Sequence, residues 1–403
     1  MIKKWILLAT LCLGFLFAKS TSLVDSSQSF KKMKLGIEEI NILGSYYSQN
    51  GRHSAVTGGE GTERLTDLSG NADITLYLLT PKNYKHSLKL NFGIDQYTSA
   101  SSDKIDPNSI SSPSYSDVRI YPSVNYNFTN QNKQFTIGTS AYYSTEYDYK
   151  SIGFGLNFSK TFSNGMSGLD IHAMSFFDQW KVIKPVELRP DGYGSGSEDD
   201  KRPIDYKARN SYSVSVVYSQ IINKKLQLAL VTEPSYQQGL LSMPFQRVYL
   251  NDGTARIEKL PSQRIKIPLA FRLNYFYTKL LVFRSFYRFY YDDWGLNSNT
   301  FQIEMPIKAH PFITIMPLYR LALQNQSRYF NVINKNSPTQ EFYTSDYDLS
   351  TFNSHLIGLH FQYQNPNGIM RIKFFNSVTV RGSYYLRSDG LRSWIMTLAL
   401  QFK

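Results

Sequence analysis

The residues able to do chemistry are few. His53 stands beside Ser54, with Glu60 close behind, and these are the types of a base, a nucleophile and an orienting acid. Adjacency in one loop does not supply a triad, because the base must reach the nucleophile while a third group holds it. The other histidines are His86, His172, His310, His355 and His360. On a strand, His355 and His360 would point to opposite faces and could not share a metal. Asp170 and His172 would share a face, but a plain polar wall needs the same pair. Gly58-Gly59-Glu60-Gly61 and the glycine-rich run at 191–196 lack the strand and helix that a phosphate loop requires. The single cysteine, Cys12, lies in the amino-terminal apolar run, so removal of that run leaves no thiol for catalysis, metal binding or disulfides. The expectation is no enzyme, no metal and no cofactor. An outer-rim hydrolase built on the His53 loop is the least favoured alternative.

Charge gives a second kind of chemistry. The formal net charge is +13, and the two signs are unevenly distributed. Before residue 180, Asp73, Asp95, Asp117, Asp170 and Asp178 fall on polar faces with Lys89 and Arg119. Later come Arg264, Lys266, Arg272, Arg284, Arg288, Lys308, Arg320, Arg371, Lys373 and Arg381, against Asp292 and Glu304. In a closed pore these sets would form an acidic wall facing a basic wall and would favour anions along the latter. Alternatively, acids and bases pair and hold the lumen rigid.

The elements that must position these side chains follow from export and from periodicity. Lys3 and Lys4 precede an apolar run from Trp5 to Phe17, and Ala18 offers a small residue for cleavage. Residues 1–18 read as a secretory signal, too short for a membrane helix. Residues 19–33 would be a short periplasmic or lumenal arm. The chain holds 30 Tyr and 26 Phe, yet its mean hydropathy is −0.34. A barrel reconciles these values, because apolar and polar residues alternate along each strand.

The alternation is explicit. Trp394, Met396, Leu398, Leu400 and Phe402 share one face, while Ile395, Thr397, Ala399, Gln401 and Lys403 share the other. Ile265, Ile267, Leu269 and Phe271 alternate with Arg264, Lys266, Pro268, Ala270 and Arg272. A helix would scatter such residues around its surface. Sixteen strands are expected, at 34–50, 69–80, 85–98, 115–128, 134–146, 148–160, 167–180, 208–221, 225–236, 263–277, 279–292, 297–308, 312–325, 351–363, 368–386 and 391–403. Their connectors alternate between tight turns and longer loops, as in an antiparallel up-and-down transmembrane barrel with both ends in the periplasm. Aromatic clusters at Tyr46-Tyr47, Tyr142-Tyr143, 176–180, Tyr290-Tyr291 with Trp294, and Tyr384-Tyr385 are expected to form girdles at the membrane boundary. Phe402 ends the last strand as a signal for the barrel-assembly machinery.

Several stretches together carry a resemblance: 52–59, Asp117 to Pro122, Ser144 to Tyr149, Thr232-Glu233-Pro234 and Leu260 to Arg264. The chain resembles a porin-like family of outer-membrane barrels catalogued as a domain of unknown function. The resemblance implies an outer-membrane location and a barrel over 34–403, and no reaction. The function expected is channel-like translocation or surface binding of small solutes, anions included. The alternative is a scaffold for a periplasmic or surface lipoprotein. Membrane lipid is an expected partner and nucleic acid is not.

Overall fold

The computed structural model describes residues 33–98, 116–162, 165–188 and 205–403. The expected signal and nearly all of the 19–33 arm lie outside these residues. The strand segments are β1 (Lys34–Asn50), β2 (Leu65–Leu79), β3 (Lys85–Thr98), β4 (Ser116–Thr129), β5 (Phe135–Thr145), β6 (Tyr149–Thr161) and β7 (Ser167–Lys181). They continue as β8 (Tyr206–Asn223), β9 (Leu226–Thr232), β10 (Ser235–Gly239), β11 (Arg247–Tyr249), β12 (Ala255–Ile257), β13 (Gln263–Phe276) and β14 (Val282–Asp292). The last are β15 (Asn297–Glu304), β16 (Ile307–His310), β17 (Ile313–Asn325), β18 (Phe352–Gln364), β19 (Phe375–Arg387) and β20 (Arg392–Phe402).

Each barrel strand pairs antiparallel with its sequence neighbours, and β1 pairs with β20 from Ile40↔Phe402 to Asn50↔Arg392. That last pairing closes the sheet. β9 with β10, and β15 with β16, each make one stave, interrupted at Glu233-Pro234 and at Met305-Pro306. Proline has no N–H to give to a ladder, which accounts for both gaps. The β11–β12 hairpin stands apart from the barrel, which leaves sixteen staves. Among the described residues no helix is long and apolar enough to cross a membrane.

The outward face is apolar and bare. Leu156 is 66% exposed, Leu359 59% and Leu269 55%. A band of this kind on every side needs lipid rather than water against it. The inward face is polar, and Arg272, Arg288, Arg320 and Arg381 on it are also exposed. A lumen whose side chains remain exposed is not packed shut.

Two sequence expectations need correction. Arg371 and Lys373 belong to no lumenal wall: β19 begins at Phe375, and Arg371 sits in the segment 365–374 with φ 64°. The left-handed backbone there breaks the alternation that would have aimed them inward. The aromatic pairs are also not girdles as pairs, because successive residues on a strand face opposite ways. Tyr46, Phe177 and Tyr291 are exposed on the outer face, whereas Tyr142 and Phe176 line an inner cavity. Trp294 is buried in a loop, its indole N–H donating to the Gln263 carbonyl at 3.0 Å.

Phe402 closes the last stave beside Ile40 and stacks on Phe375 at 4.8 Å between ring centroids. Phe402→Asp is expected to reduce insertion while leaving export intact. Normal heat-modifiable migration of that variant, with normal protease resistance, would contradict the assembly role.

Candidate functional site: a capped, charged lumen

The register of the strands places the lumenal charges. Asp73, on β2, takes Lys89 at 3.1 Å and the Asn41 amide at 3.0 Å. Asp95 accepts from the Tyr121 hydroxyl at 2.8 Å. Asp170 is exposed on β7, beside Ser159 and Val217. Asp117 lies at the outer rim and accepts from the Val118 and Tyr147 amides. There its carboxylate lies near Glu146 and Asp148, with ligand oxygens within 4.8 Å of one another. A divalent cation could find three oxygens in that group. Glu146 is already engaged by the Tyr97 hydroxyl and lies 3.6 Å from Arg119. Burial raises the Glu146 carboxyl above its usual range, with Arg119 working against the rise.

On the basic side the cations divide into two groups. Arg264 is committed: it holds Asp292, which is fully buried, at 2.5 Å and lies over the Trp294 ring at 4.2 Å. Lys266 lies directly beside Asp292 in register. Arg284 pairs with Glu304 at 2.8 Å. These pairs join neighbouring strands and do not cross the lumen. Among the described residues, Arg272, Arg288 and Arg320 have no carboxylate partner. Arg272 lies over the Phe286 ring at 5.7 Å, and Arg320 donates to Gln302 at 2.8 Å.

The ladder shows that these three are near one another. Arg272, Phe286, Gln302 and Arg320 occupy one level across β13, β14, β15 and β17. Arg288 sits on the next same-face position above Phe286. Strands are spaced about 4.8 Å apart and same-face residues about 7 Å along a strand. By that spacing Arg288 stands roughly 8 Å from Arg272 and roughly 12 Å from Arg320 in backbone position, and Arg272 and Arg320 stand roughly 14 Å apart, so the three charges share one stretch of wall with water between them.

A second feature lies on the opposite wall, under the outer rim. A cavity of about 460 Å³ spans β3 to β8. Tyr121, Tyr142 and Phe176, with Tyr143 and Tyr149, supply its aromatic lining, and Arg119, Asp178 and Arg209 its charge. A Cβ on Gly93 would come within 2.0 Å of the Tyr121 ring, and one on Gly153 within 2.4 Å of Phe176. Two glycines thus let two rings lie against the wall, which keeps the space in front of them open. Asp178 is buried, accepts from Ser151 at 2.7 Å and pairs with Arg209 at 2.9 Å. Arg209 was missed in the charge pattern because the expected strand began only at residue 208, whereas β8 begins at Tyr206. Its parity with Ser211 and Ser213 was the available signal.

The outer mouth is covered. In a sixteen-stave barrel the β1–β2 loop and the loop between β10 and β13 lie at opposite ends of a diameter. Yet Arg247, in the second loop, donates from Nη1 to the Val56 carbonyl in the first at 3.0 Å. The same guanidinium pairs with Glu187 in the loop after β7. Gly59 of the first loop lies against Ser345 of the β17–β18 loop, and His53 stacks on Tyr347 at 3.8 Å. Loops that meet in this way must cross the mouth. They also carry most of the buried apolar core: Val248, Leu250 and Tyr343 form one cluster, and Leu260, Trp294, Leu296, Phe330 and Leu349 another. A barrel wall buries little on itself when its outer face waits for lipid, whereas loops in water must bury their own apolar groups.

The histidines do not converge. The Nδ1 of His53 lies 2.9 Å from the Gly59 carbonyl. His86 and His355 are hydrogen-bonded to Tyr126 and Tyr319 on the wall. His172 and His360 sit on the lumenal ladder beside Asn157 and Arg381, on separate strands.

A closed antiparallel barrel with a bare apolar exterior, a charged open lumen and a folded outer cap is a membrane-spanning β-barrel of the outer-membrane type. The family model described as "protein of unknown function (DUF3570)" matches residues 68–389, and the chain belongs to that family. No curated protein matches the sequence. Among solved structures, the chain is similar to a bacterial polysaccharide outer-membrane secretin, with TM-score 0.46, 8% identity, and 91% and 97% of the two chains covered. It is also similar to OpdK of Pseudomonas aeruginosa, crystallised with vanillate, with TM-score 0.43, 6% identity, and 92% and 99% covered. A third is a mutant of the monoaromatic hydrocarbon channel TodX, with TM-score 0.42, 9% identity, and 92% and 89% covered.

Proposed function

We propose that this protein is an outer-membrane passage for small anionic solutes, reached after signal cleavage and insertion by the barrel-assembly machinery, and kept closed at its outer mouth by the loop cap. The observation that carries the reading is the cluster of Arg272, Arg288 and Arg320. Three exposed cations without carboxylate partners among the described residues set a positive potential on the lumenal wall. Such a potential raises the local concentration of anions and is screened by salt. Arg284, which the sequence grouped with them, contributes less because Glu304 neutralises it.

Reversal potentials in a salt gradient test the reading. Wild type and the cap-opened Arg247→Ala protein should both prefer anions whenever they conduct, and the preference should weaken at high salt. Arg288→Glu combined with Arg320→Glu should abolish or reverse it. A cation-preferring open pore, or a selectivity indifferent to the double change, would reject the proposal. A barrel that stays silent even with its cap opened would favour instead a scaffold for a lipoprotein partner.

A further inference from the structure

The cavity under the outer rim has a composition that the passage reading does not require. One wall offers ring faces: Tyr142 and Phe176 lie 5.7 Å apart between centroids, with planes at 50°. Phe176 keeps its position because Gly153 has no side chain to displace it. Around these rings stand two guanidiniums that the fold has already oriented. Arg119 is held through Nε by the Ser144 hydroxyl at 2.9 Å, with the Glu146 carboxylate 3.6 Å from the same nitrogen, and Arg209 is held through Nε by Asp178 at 2.9 Å. Each anchor uses the inner edge of its guanidinium. Among the described residues, no hydrogen bond claims the terminal nitrogens of either.

A guanidinium fixed at Nε presents a planar fork that suits a carboxylate. An aromatic face beside it suits a flat ring, since stacked or edge-to-face rings gain more than area burial alone. Both arginines also lie over aromatic rings, Arg119 5.1 Å from the Tyr121 centroid and Arg209 5.1 Å from that of Trp180. These contacts stiffen the forks before any ligand arrives. The cavity, at about 460 Å³, falls within the usual range for small-molecule sites.

We propose that this cavity is a binding site for a small aromatic carboxylate: the ring packs on Tyr142 and Phe176, and the carboxylate takes the free edge of Arg119, of Arg209, or of both. The site deepens the passage reading by naming a class of solute, and it rests on that reading only for the ligand's onward travel. Binding itself does not depend on conduction.

Calorimetric titration of the full-length protein refolded in detergent tests the site with three probes. Benzoate carries both features, cyclohexanecarboxylate has the acid without the aromatic ring, and benzyl alcohol has the ring without the charge. Benzoate should bind about tenfold or more tightly than benzyl alcohol, since loss of a charge-assisted hydrogen bond is worth at least that factor, and roughly two- to tenfold more tightly than cyclohexanecarboxylate, which loses only the ring-to-ring contact. Arg119→Gln, which keeps a donor for Ser144, should weaken benzoate by a similar factor, and so should Phe176→Leu. Arg288→Glu with Arg320→Glu should leave benzoate binding unchanged while altering ion selectivity, which separates failure of the site from failure of the passage reading. Heat-modifiable migration certifies that each variant is folded. Equal binding of benzoate and cyclohexanecarboxylate, no binding of benzoate to folded wild type, or binding indifferent to both cavity variants would overturn the proposal.

Discussion

Arg247→Ala should open the outer mouth. In planar bilayers the variant is expected to conduct severalfold more than wild type and to show fewer long closures. Arg247 ties three loops at once: its Nη1 reaches the Val56 carbonyl, and its Nε and Nη2 reach Glu187. Arg247 is 6% exposed, so its bond to Val56 is sheltered from water. A hydrogen bond to a charged group is worth about 1.5–3 kcal/mol. The Glu187 side chain is half-exposed, so that pair contributes less. Loops that cross a mouth have few other anchors to the far rim, and losing this one should raise the population of open states. Limited proteolysis supplies a second readout, with faster cleavage in 51–64 and 240–262. Unchanged conductance together with unchanged cleavage would show that Arg247 is not the tie.

The cap should also respond to pH. Burial pushes Glu258 up to about 8, with Asp346 adding to the rise, although the Thr344 hydroxyl and the Met243 amide both donate to it. Burial likewise pushes Glu63 up to about 8, with Asp348 adding to the rise. The folded cap binds these protons more tightly than unfolded loops would. Stability from this source is fully present below the ordinary carboxylate value of 4.5 and is lost as pH rises through about 8. Amide exchange in the cap, corrected for its intrinsic pH dependence, should therefore quicken between those limits. Cap protection that increased over the same range would contradict the sign.

Leu269→Arg should damage the barrel far more than Arg272→Glu. The two residues are three apart on β13 and face opposite sides. Leu269 is exposed outward and lies beside Phe289 in register, while Arg272 is exposed to the lumen beside Phe286. A charge on the lipid face near midplane costs about 2–4 kcal/mol, whereas the lumenal change exchanges one hydrated ion for another. Urea unfolding from lipid vesicles should register that difference as a lower midpoint for Leu269→Arg alone. Equal midpoints would mean that the two faces of β13 are wrongly assigned.

Period two was enough to place nearly all of the barrel. Trp394 through Phe402 already separates a lipid face from a lumenal face, because successive side chains on a strand have no choice but to alternate. The same rule put Arg264, Arg272 and Arg288 on one inner surface and Leu269 on the outer one. It failed where the backbone leaves the strand, at Arg371 and Lys373, and where aromatic pairs were read as units.

Only the tertiary structure decided which charges are free. Arg264 and Arg284 resemble Arg272 and Arg288 in the sequence, yet Asp292 and Glu304 stand beside the first two and no carboxylate among the described residues stands beside the others. Pairing depends on register between strands, which a one-dimensional pattern does not contain. The same holds for the aromatic cavity, whose lining comes from six strands and is kept open by Gly93 and Gly153. It holds most of all for the cap. Val56 and Arg247 are 191 residues apart and belong to loops on opposite sides of the outer rim. Loop sequences announce exposure and turns but not which distant loop they will meet, because side-chain contacts and a shared buried core, rather than a repeating backbone ladder, set that meeting.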